Sequence, residues 1–195
     1  MTIKKILTEP DPFLRQKSTK VEEVNNEIRS LMDDMLETMY DAPGIGLAAI
    51  QIGVPKRVIV IDLSRNDEKK NPLYFVNPEI IINSNNKASY EEGCLSVPGQ
   101  FAEINRPDKC KVKYLDYNGN EQVLDAEGLL ATCIQHEVDH LEGILFIDYL
   151  SNLKKSMIVK KLSKQKKIFR KNCCIKFHVF KNFIYGYPKF CGTNS

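Results

Sequence analysis

The chemistry that this sequence can support is clearest in the segment His136-Glu137-Val138-Asp139-His140. Two histidines four residues apart on a helix project from the same face, so both imidazoles can bind a single metal ion. Glu137 follows the first histidine directly and is placed to act as a base toward a water molecule at that metal. The chain contains three histidines, and two of them have this spacing. The pattern therefore favours a metal site over two unrelated helical histidines.

A catalytic metal site needs a third protein ligand and an open position. A zinc protease of the glutamate type takes that ligand from a downstream acid, but no Asp or Glu follows Asp148. The extended protease pattern His-x-x-Gly-x-x-His also fails, because Phe146 stands where its last histidine belongs. Upstream, Cys94 lies in a loop-like segment between Gly93 and Pro98, and its thiolate would be a soft ligand. From its own context alone, Cys94 is more simply a cysteine in a turn.

Three segments together resemble the peptide deformylase family. The family's motifs are Gly-x-Gly-x-Ala-Ala-x-Gln, Glu-Gly-Cys-Leu-Ser and Gln-His-Glu-x-x-His-Leu, and all three are complete and in order at residues 44–51, 92–96 and 135–141. The resemblance covers about residues 3–165. It implies an α+β fold in which antiparallel β-sheets surround a central metal-binding helix, followed by a basic C-terminal helix.

The activity implied by this resemblance is the metal-dependent hydrolysis of the formyl group from the N-terminal formyl-methionine of nascent polypeptides, releasing formate. The ligands of one divalent metal ion are then Cys94, His136 and His140, with Fe²⁺ as the expected ion and Zn²⁺, Ni²⁺ or Co²⁺ as alternatives. Metal-activated water would attack the formyl carbon, with Glu137 as general base and then general acid. The side-chain amide of Gln51 and the backbone N–H of Leu95 would stabilise the negative charge on the former carbonyl oxygen.

Substrate contacts are also carried over from the resemblance, position by position. The expected apolar pocket for the methionine side chain and the neighbouring backbone contacts comprise Gly44, Ile45, Gly46, Tyr90, Gly93, Phe101, Leu129, Thr132 and Cys133. For Leu129 and Cys133, a role in core packing is an equally good interpretation. Phe101 stands where many relatives have Arg or Tyr, and Thr132 stands where an aliphatic residue is frequent, so the fine substrate preference is left open.

Two other functions remain as alternatives. A ribosome-associated metal-binding protein without catalysis would need the three ligands but neither Glu137 nor Gln51. A metallopeptidase lacks its downstream ligand. A dinucleotide site at residues 44–49 is disfavoured, because its Gly-x-Gly-x-x-Ala pattern should follow a strand and open a helix, whereas here it follows a helix and a proline.

The elements that must position these residues are predicted from periodicity. Apolar residues recur at helical spacing over residues 25–41, and β-branched runs at 57–63, 73–76 and 80–82 predict strands. Asn118-Gly119 between two further β-type runs predicts a hairpin. Residues 125–142, with Asp125 as N-cap and Gly143 as stop, and residues 151–170 predict helices. Hairpins and helices in separate runs indicate the α+β class.

Composition and charge bound the remaining possibilities. The chain has 195 residues, of which 43% are hydrophobic and 27% charged, and no run of eighteen apolar residues. Residues 151–195 contain twelve Lys or Arg and no Asp or Glu, so all 25 acidic residues lie in residues 1–150. The predicted organisation is a catalytic domain at 1–150, a basic C-terminal helix at 151–171 and an atypical basic and aromatic extension at 172–195.

The basic charge of this helix favours phosphate binding over a merely solvated face. The resemblance to peptide deformylases implies that the helix docks on the ribosome, so ribosomal RNA is an expected partner besides the N-formylated nascent peptide, with a membrane surface as the alternative. We expect a monomer without a membrane span, in a bacterial cytosol or an organelle of bacterial descent. The six cysteines, irregularly spaced and without a secretion signal, are expected to be reduced thiols. A second metal site is disfavoured, since no standard spacing fits its candidates Cys173, Cys174, His178 and Cys191.

Overall fold

The fold was obtained as a computed structural model, which describes residues 2–64 and 69–172, with side chains described as far as residue 166. The helices are α1 (Asn26–Asp41), α2 (Gly128–Leu141) and α3 (Asn152–Asn172), and the strands are β1 (Gly46–Ala48), β2 (Val58–Ile61), β3 (Leu73–Asn83), β4 (Lys87–Cys94), β5 (Val97–Pro107), β6 (Lys109–Leu115) and β7 (Glu121–Glu127). Among these residues, no helix combines the length and apolar character needed to cross a bilayer.

Two antiparallel sheets carry the architecture. Five strands pair in the order β1-β2-β3-β6-β7, while β4 and β5 form a separate two-stranded sheet. Helix α2 packs against strands of both sheets, and α1 packs against β1 and β2. Helices and antiparallel strands are thus combined as predicted for the α+β class.

The amphipathic pattern of α1 is confirmed. Asn25 caps the helix, its side chain accepting a hydrogen bond from the backbone N–H of Ile28 at 3.1 Å. The apolar stripe is buried against the first strands in a cluster that includes Ile28, Met32, Met35, Met39, Leu47, Val58 and Val60. The methionines of this stripe are therefore core residues rather than a binding surface.

The predicted start of the second helix is wrong. Asp125 is not an N-cap but a strand residue of β7, paired with Lys111 of β6 and joined to it by an ion pair at 3.1 Å. Helix α2 begins only at Gly128, whose φ of 60° permits the sharp change from strand to helix. The helix ends at Leu141, and Gly143, with a φ of 75°, lies just beyond its end as predicted.

Strand β3 is longer than predicted. The runs at 73–76 and 80–82 were separated in the sequence by Pro78, yet β3 continues from Leu73 to Asn83. Irregularities in its register with β6 on both sides of Ile80 accommodate the extra residues. Asn77 takes a φ of 52°, and its side chain bonds the backbone of Val21 through both its oxygen and its nitrogen. A side chain thus supports the unusual backbone conformation next to the proline.

Gly143, just beyond the end of α2, lies against the backbone of Arg15 in the N-terminal part of the chain. We expect Gly143→Ala to destabilise the fold by about 2–4 kcal/mol. The Cβ of an alanine would overlap the backbone carbonyl of Arg15, and the alanine backbone would also have to adopt a positive φ. Chemical denaturation of the two proteins measures the loss. Gly53→Ala is the matched control, since Gly53 has a φ of 84° but open space around its Cα. An equal loss in both variants would show that the contact with Arg15 is unimportant.

Candidate metal centre

Three predicted ligands from two elements converge. His136 and His140 lie one turn apart on α2, with ring centroids 5.0 Å apart. Cys94 ends β4 at a register irregularity that follows Gly93, and its Sγ lies 3.2 Å from Nε2 of His140. The potential ligand atoms of the three residues all lie within 4.8 Å of one another. Cys94, whose role was ambiguous from its local sequence, therefore lies beside the two histidines of α2.

This donor set fits a transition-metal ion. One thiolate and two neutral imidazoles are soft and borderline ligands suited to zinc, iron(II) and similar ions, and three protein ligands leave a position open for water or substrate. Both histidine rings are buried, and Cys94 is half-buried. One oxygen of the neighbouring Glu137 carboxylate is buried and has no hydrogen-bond partner among the described residues. Such an atom is available to a water molecule or substrate at the site.

The orientation of His136 is fixed by Glu92 of β4. Nδ1 of His136 lies 2.8 Å from Oε2 of Glu92, which leaves Nε2 as the free ring nitrogen. The same carboxylate accepts two hydrogen bonds from Arg106 of β5, from Nε at 2.5 Å and from Nη2 at 3.0 Å. Burial opposes ionisation of Glu92, but the hydrogen bonds from His136 and Arg106 hold its pKa below the ordinary value.

Arg106 also reaches the residue that precedes His140. Its Nη1 donates to Oδ2 of Asp139 at 2.7 Å, and the hydroxyl of Tyr149 donates to the same oxygen at 2.9 Å. The guanidinium lies 4.9 Å from the centre of the Tyr149 ring. Although burial alone would lower it, the two carboxylates raise the pKa of Arg106 above its ordinary value. A buried cation thus joins β4, β5 and α2 beside the histidine pair.

Glu137 lies on the side of α2 that faces β1. It is buried, and burial raises its pKa to about 7. A Cβ built on Gly46 of β1 would lie 2.5 Å from Oε1 of Glu137. Only a glycine therefore lets the strand approach this carboxylate so closely.

Gln51 is held with its amide nitrogen toward Cys94. Its Oε1 accepts a hydrogen bond from the N–H of Ala48 at 2.8 Å, which assigns the other end of the amide as the donor. Nε2 then lies 3.6 Å from Sγ of Cys94 and 3.0 Å from Oγ of Ser96. Leu95 follows Cys94 in the turn between β4 and β5. The two predicted donors, the side-chain amide of Gln51 and the backbone N–H of Leu95, therefore both belong to residues next to the thiol of Cys94.

The predicted substrate residues differ in their burial and in the elements that carry them. Thr132 and Cys133 are buried on α2, whereas Leu129 is 45% exposed, so a core role fits Cys133 and not Leu129. The hydroxyl of Thr132 donates to the carbonyl of Gly128 at 3.3 Å, which satisfies its polar group within the helix. The remaining members lie on β1, β4 and β5 or just before β1: Gly44, Ile45, Gly46, Tyr90, Gly93 and Phe101.

Some residues of the centre were not predicted. Glu92 belongs to a recognised motif, and its place two residues before Cys94 could have suggested a role beside the metal. Arg106 and Asp139 carry no such signal, because a buried arginine looks like any surface arginine until its partners are known. The candidates for a second metal site, Cys173, Cys174, His178 and Cys191, lie outside the described residues.

Comparison with known proteins extends the motif resemblance to the whole domain. A family model described as Polypeptide deformylase matches residues 3–156. A peptide deformylase of Pelagibacter ubique is 70% identical over 166 residues, 85% of this chain and 96% of the relative. One of Rhizobium meliloti is 58% identical over 167 residues, 86% of this chain and 96% of the relative.

A crystal structure of peptide deformylase from Ehrlichia chaffeensis in complex with actinonin is similar with a TM-score of 0.82 and 45% identity, covering 86% of this chain and 99% of that one. The family inferred from three short motifs is thereby confirmed, and the antiparallel α+β fold with three helices is shared with it. The chain belongs to the peptide deformylase family and has the activity of that metallohydrolase, the removal of the N-terminal formyl group.

Proposed function

We propose that the deformylase reaction of this chain takes place between α2 and the β4–β5 turn, with Cys94, His136 and His140 holding one divalent metal ion. The observation that carries this proposal is the convergence of these three donors beside a buried carboxylate oxygen that has no partner among the described residues. When bound, such an ion acts as a Lewis acid, polarising a carbonyl group and making water more acidic. Iron(II) is the ion that we propose from the resemblance, and the donor set also suits zinc, nickel or cobalt.

Glu137 is the proposed proton carrier. It accepts the proton of the attacking water and delivers it to the amine that leaves when the formyl C–N bond breaks, giving formate and a free N-terminus. The support for this role is its position, since its carboxylate lies next to the histidine pair and against Gly46. Both proton transfers can then be made by one side chain without a large movement.

Gln51 and the N–H of Leu95 are the proposed donors to the oxygen that becomes negative during the attack. The hydrogen bond from Ala48 fixes the amide of Gln51 before substrate arrives, so its orientation costs nothing at the moment of reaction. The two donors come from different segments, Gln51 from the segment after β1 and Leu95 from the turn after β4.

The proposed substrate is an extended peptide that begins with formyl-methionine. Within residues 2–64 and 69–172, β1 lies at an edge of the five-stranded sheet and β4 pairs only with β5, so each offers an unpaired edge near the centre. Backbone pairing to such edges recognises a peptide with little regard to its sequence. The methionine side chain would enter the apolar surface formed by Tyr90, Leu129, Thr132 and Cys133.

Ribosomal RNA is the second partner that we propose, through the lysines of α3. In the described part of this helix they are Lys154, Lys155, Lys160, Lys161, Lys164 and Lys166. Such a contact depends on phosphate charges and weakens with salt. A monomer in the cytosol of a bacterium or of an organelle descended from one is the setting that we propose for this activity.

Glu137→Gln tests the proton carrier. We expect kcat for formate release from formyl-Met-Ala-Ser to fall by a factor of about 10² to 10⁴, because the amide cannot accept the proton. The metal content per chain, measured by atomic absorption on protein purified without oxygen, should stay unchanged. Glu127→Gln is the matched control, since Glu127 precedes α2 and is exposed. Full activity of Glu137→Gln would contradict the proposed role.

Gly46→Ala tests the close approach of β1 to the carboxylate. The new methyl group would meet Oε1 of Glu137, and displacing this group should lower kcat by about 10- to 100-fold. Gly99→Ala, at a glycine with open space around it, should keep near-native activity. Unfolding midpoints of both variants separate misplacement from loss of the fold. Native kcat in a folded Gly46→Ala protein would be inconsistent with this placement of Glu137.

Glu92→Gln tests how His136 is held. The amide keeps the shape but removes the charge that pairs with Arg106 and orients the imidazole, so metal affinity should fall by about 10- to 100-fold. Competition with a chelator measures this affinity directly. The control is Glu91→Gln, because Glu91 is the exposed neighbour on the opposite face of β4. If both variants hold the metal equally well, Glu92 does not support the site.

A further inference from the structure

Phe101 is an apolar side chain in an unusual place. It lies opposite Gly93 in the β4–β5 ladder, one residue from the ligand Cys94. Its ring lies on the Cα of Gly93, since a Cβ built there would lie 2.6 Å from a ring carbon. Phe101 as a whole is nevertheless 57% exposed. Gly93 thus makes room for a phenyl ring that stays open to solvent at the edge of the reaction centre.

The alternation of side chains separates the two faces of this ladder. Buried or half-buried residues on one face include Tyr90, Glu92 and Arg106, and this face is turned toward α2. Phe101 and Gly93 belong to the opposite, outer face. A substituent that lies over Gly93 on this outer face would contact the ring of Phe101.

An extended peptide at the free edge of β4 follows the same alternation. Its successive side chains point to opposite faces and are about 3.3 Å apart along the strand. If the methionine side chain occupies the inner face with Tyr90 and Cys133, the side chain of the second residue must point to the outer face. The second residue is then the part of the substrate that reaches Phe101.

Other exposed apolar side chains lie on or next to the elements that form the centre. Ile45, just before β1, is 42% exposed, and Leu129, in the first turn of α2, is 45% exposed. A single exposed apolar residue is normal on a protein surface. Here, however, such residues lie beside each of the three segments that carry the centre, which favours a binding rim that is covered when a peptide is bound.

We propose that Phe101 makes this enzyme select formyl-methionyl peptides by their second residue, with apolar and aromatic side chains preferred over polar side chains of the same size. This inference rests on the proposed function, because it needs the peptide to lie along β4. The ring gives an apolar second side chain a surface to cover, and it offers a polar amide no hydrogen-bond partner in exchange for water.

The test compares formate release from formyl-Met-Leu-Ser and formyl-Met-Asn-Ser, whose second residues are similar in size and uncharged. We expect kcat/KM of the native enzyme to be about fivefold higher for the leucine peptide, as partial burial of a few apolar carbons predicts. Phe101→Ala should reduce the ratio of kcat/KM for the leucine peptide to that for the asparagine peptide to below about twofold. Phe101→Leu should keep most of the preference.

Val123→Ala is the matched control, because Val123 is also 57% exposed but lies on β7 of the other sheet; it should keep the native ratio. Equal rates of the native enzyme with both peptides, or an unchanged ratio in a folded Phe101→Ala protein, would overturn the inference while leaving the proposed function intact. A failure of the native, metal-loaded enzyme to release formate from either peptide would instead overturn the proposed function, and this inference with it.

Discussion

The centre depends on a buried arginine. Cys94 and the two histidines come from different elements, and the sheet that carries Cys94 is separate from the five-stranded sheet. Arg106 joins them, because it binds Glu92 on β4 and Asp139 on α2 while Glu92 binds His136. Burying one cation with two carboxylates has a large desolvation cost and adds little stability by itself. Its effect is geometric, since removing Arg106 would leave the carboxylates of Glu92 and Asp139 without their shared cation.

Apolar packing supports the same alignment from the other side. Val97 and Ile104 of β5 are buried with Phe146 and Ile147, which follow α2, and with Leu162 of α3. The ring of Phe146 also stacks near His136, with centroids 6.3 Å apart. The two-stranded sheet is therefore held by a charged contact with α2 and by an apolar cluster that it forms with α3 and with the segment after α2. Two independent constraints on one sheet leave little freedom in the position of Cys94.

Much of this centre could be predicted from the sequence, because its proposed ligands and the proposed proton carrier lie in short motifs. The i and i+4 histidines are local, and helical geometry alone brings them together. Cys94 could be assigned only through the resemblance, since its approach to α2 depends on strand pairing far along the chain. The start of α2 was misjudged because Asp125 has the composition of an N-cap, and its pairing with Lys111 across the hairpin overrides that local preference. Arg106 was missed for the same reason: burial and partners are tertiary properties.

The position of α3 relates the two proposed partners to each other. Near its middle, Leu162 is buried, whereas Leu153 and Met157 in its first turns are 72% and 63% exposed. The helix packs on β5, and Nζ of Lys161 lies 3.5 Å from Oε1 of Gln100, the residue before Phe101. The basic surface proposed for RNA therefore adjoins the rim proposed for the second substrate residue. A nascent chain that emerges beside RNA bound to α3 would have to cross only a short distance to reach β4, so the helix would raise the local concentration of substrate without taking part in the chemistry.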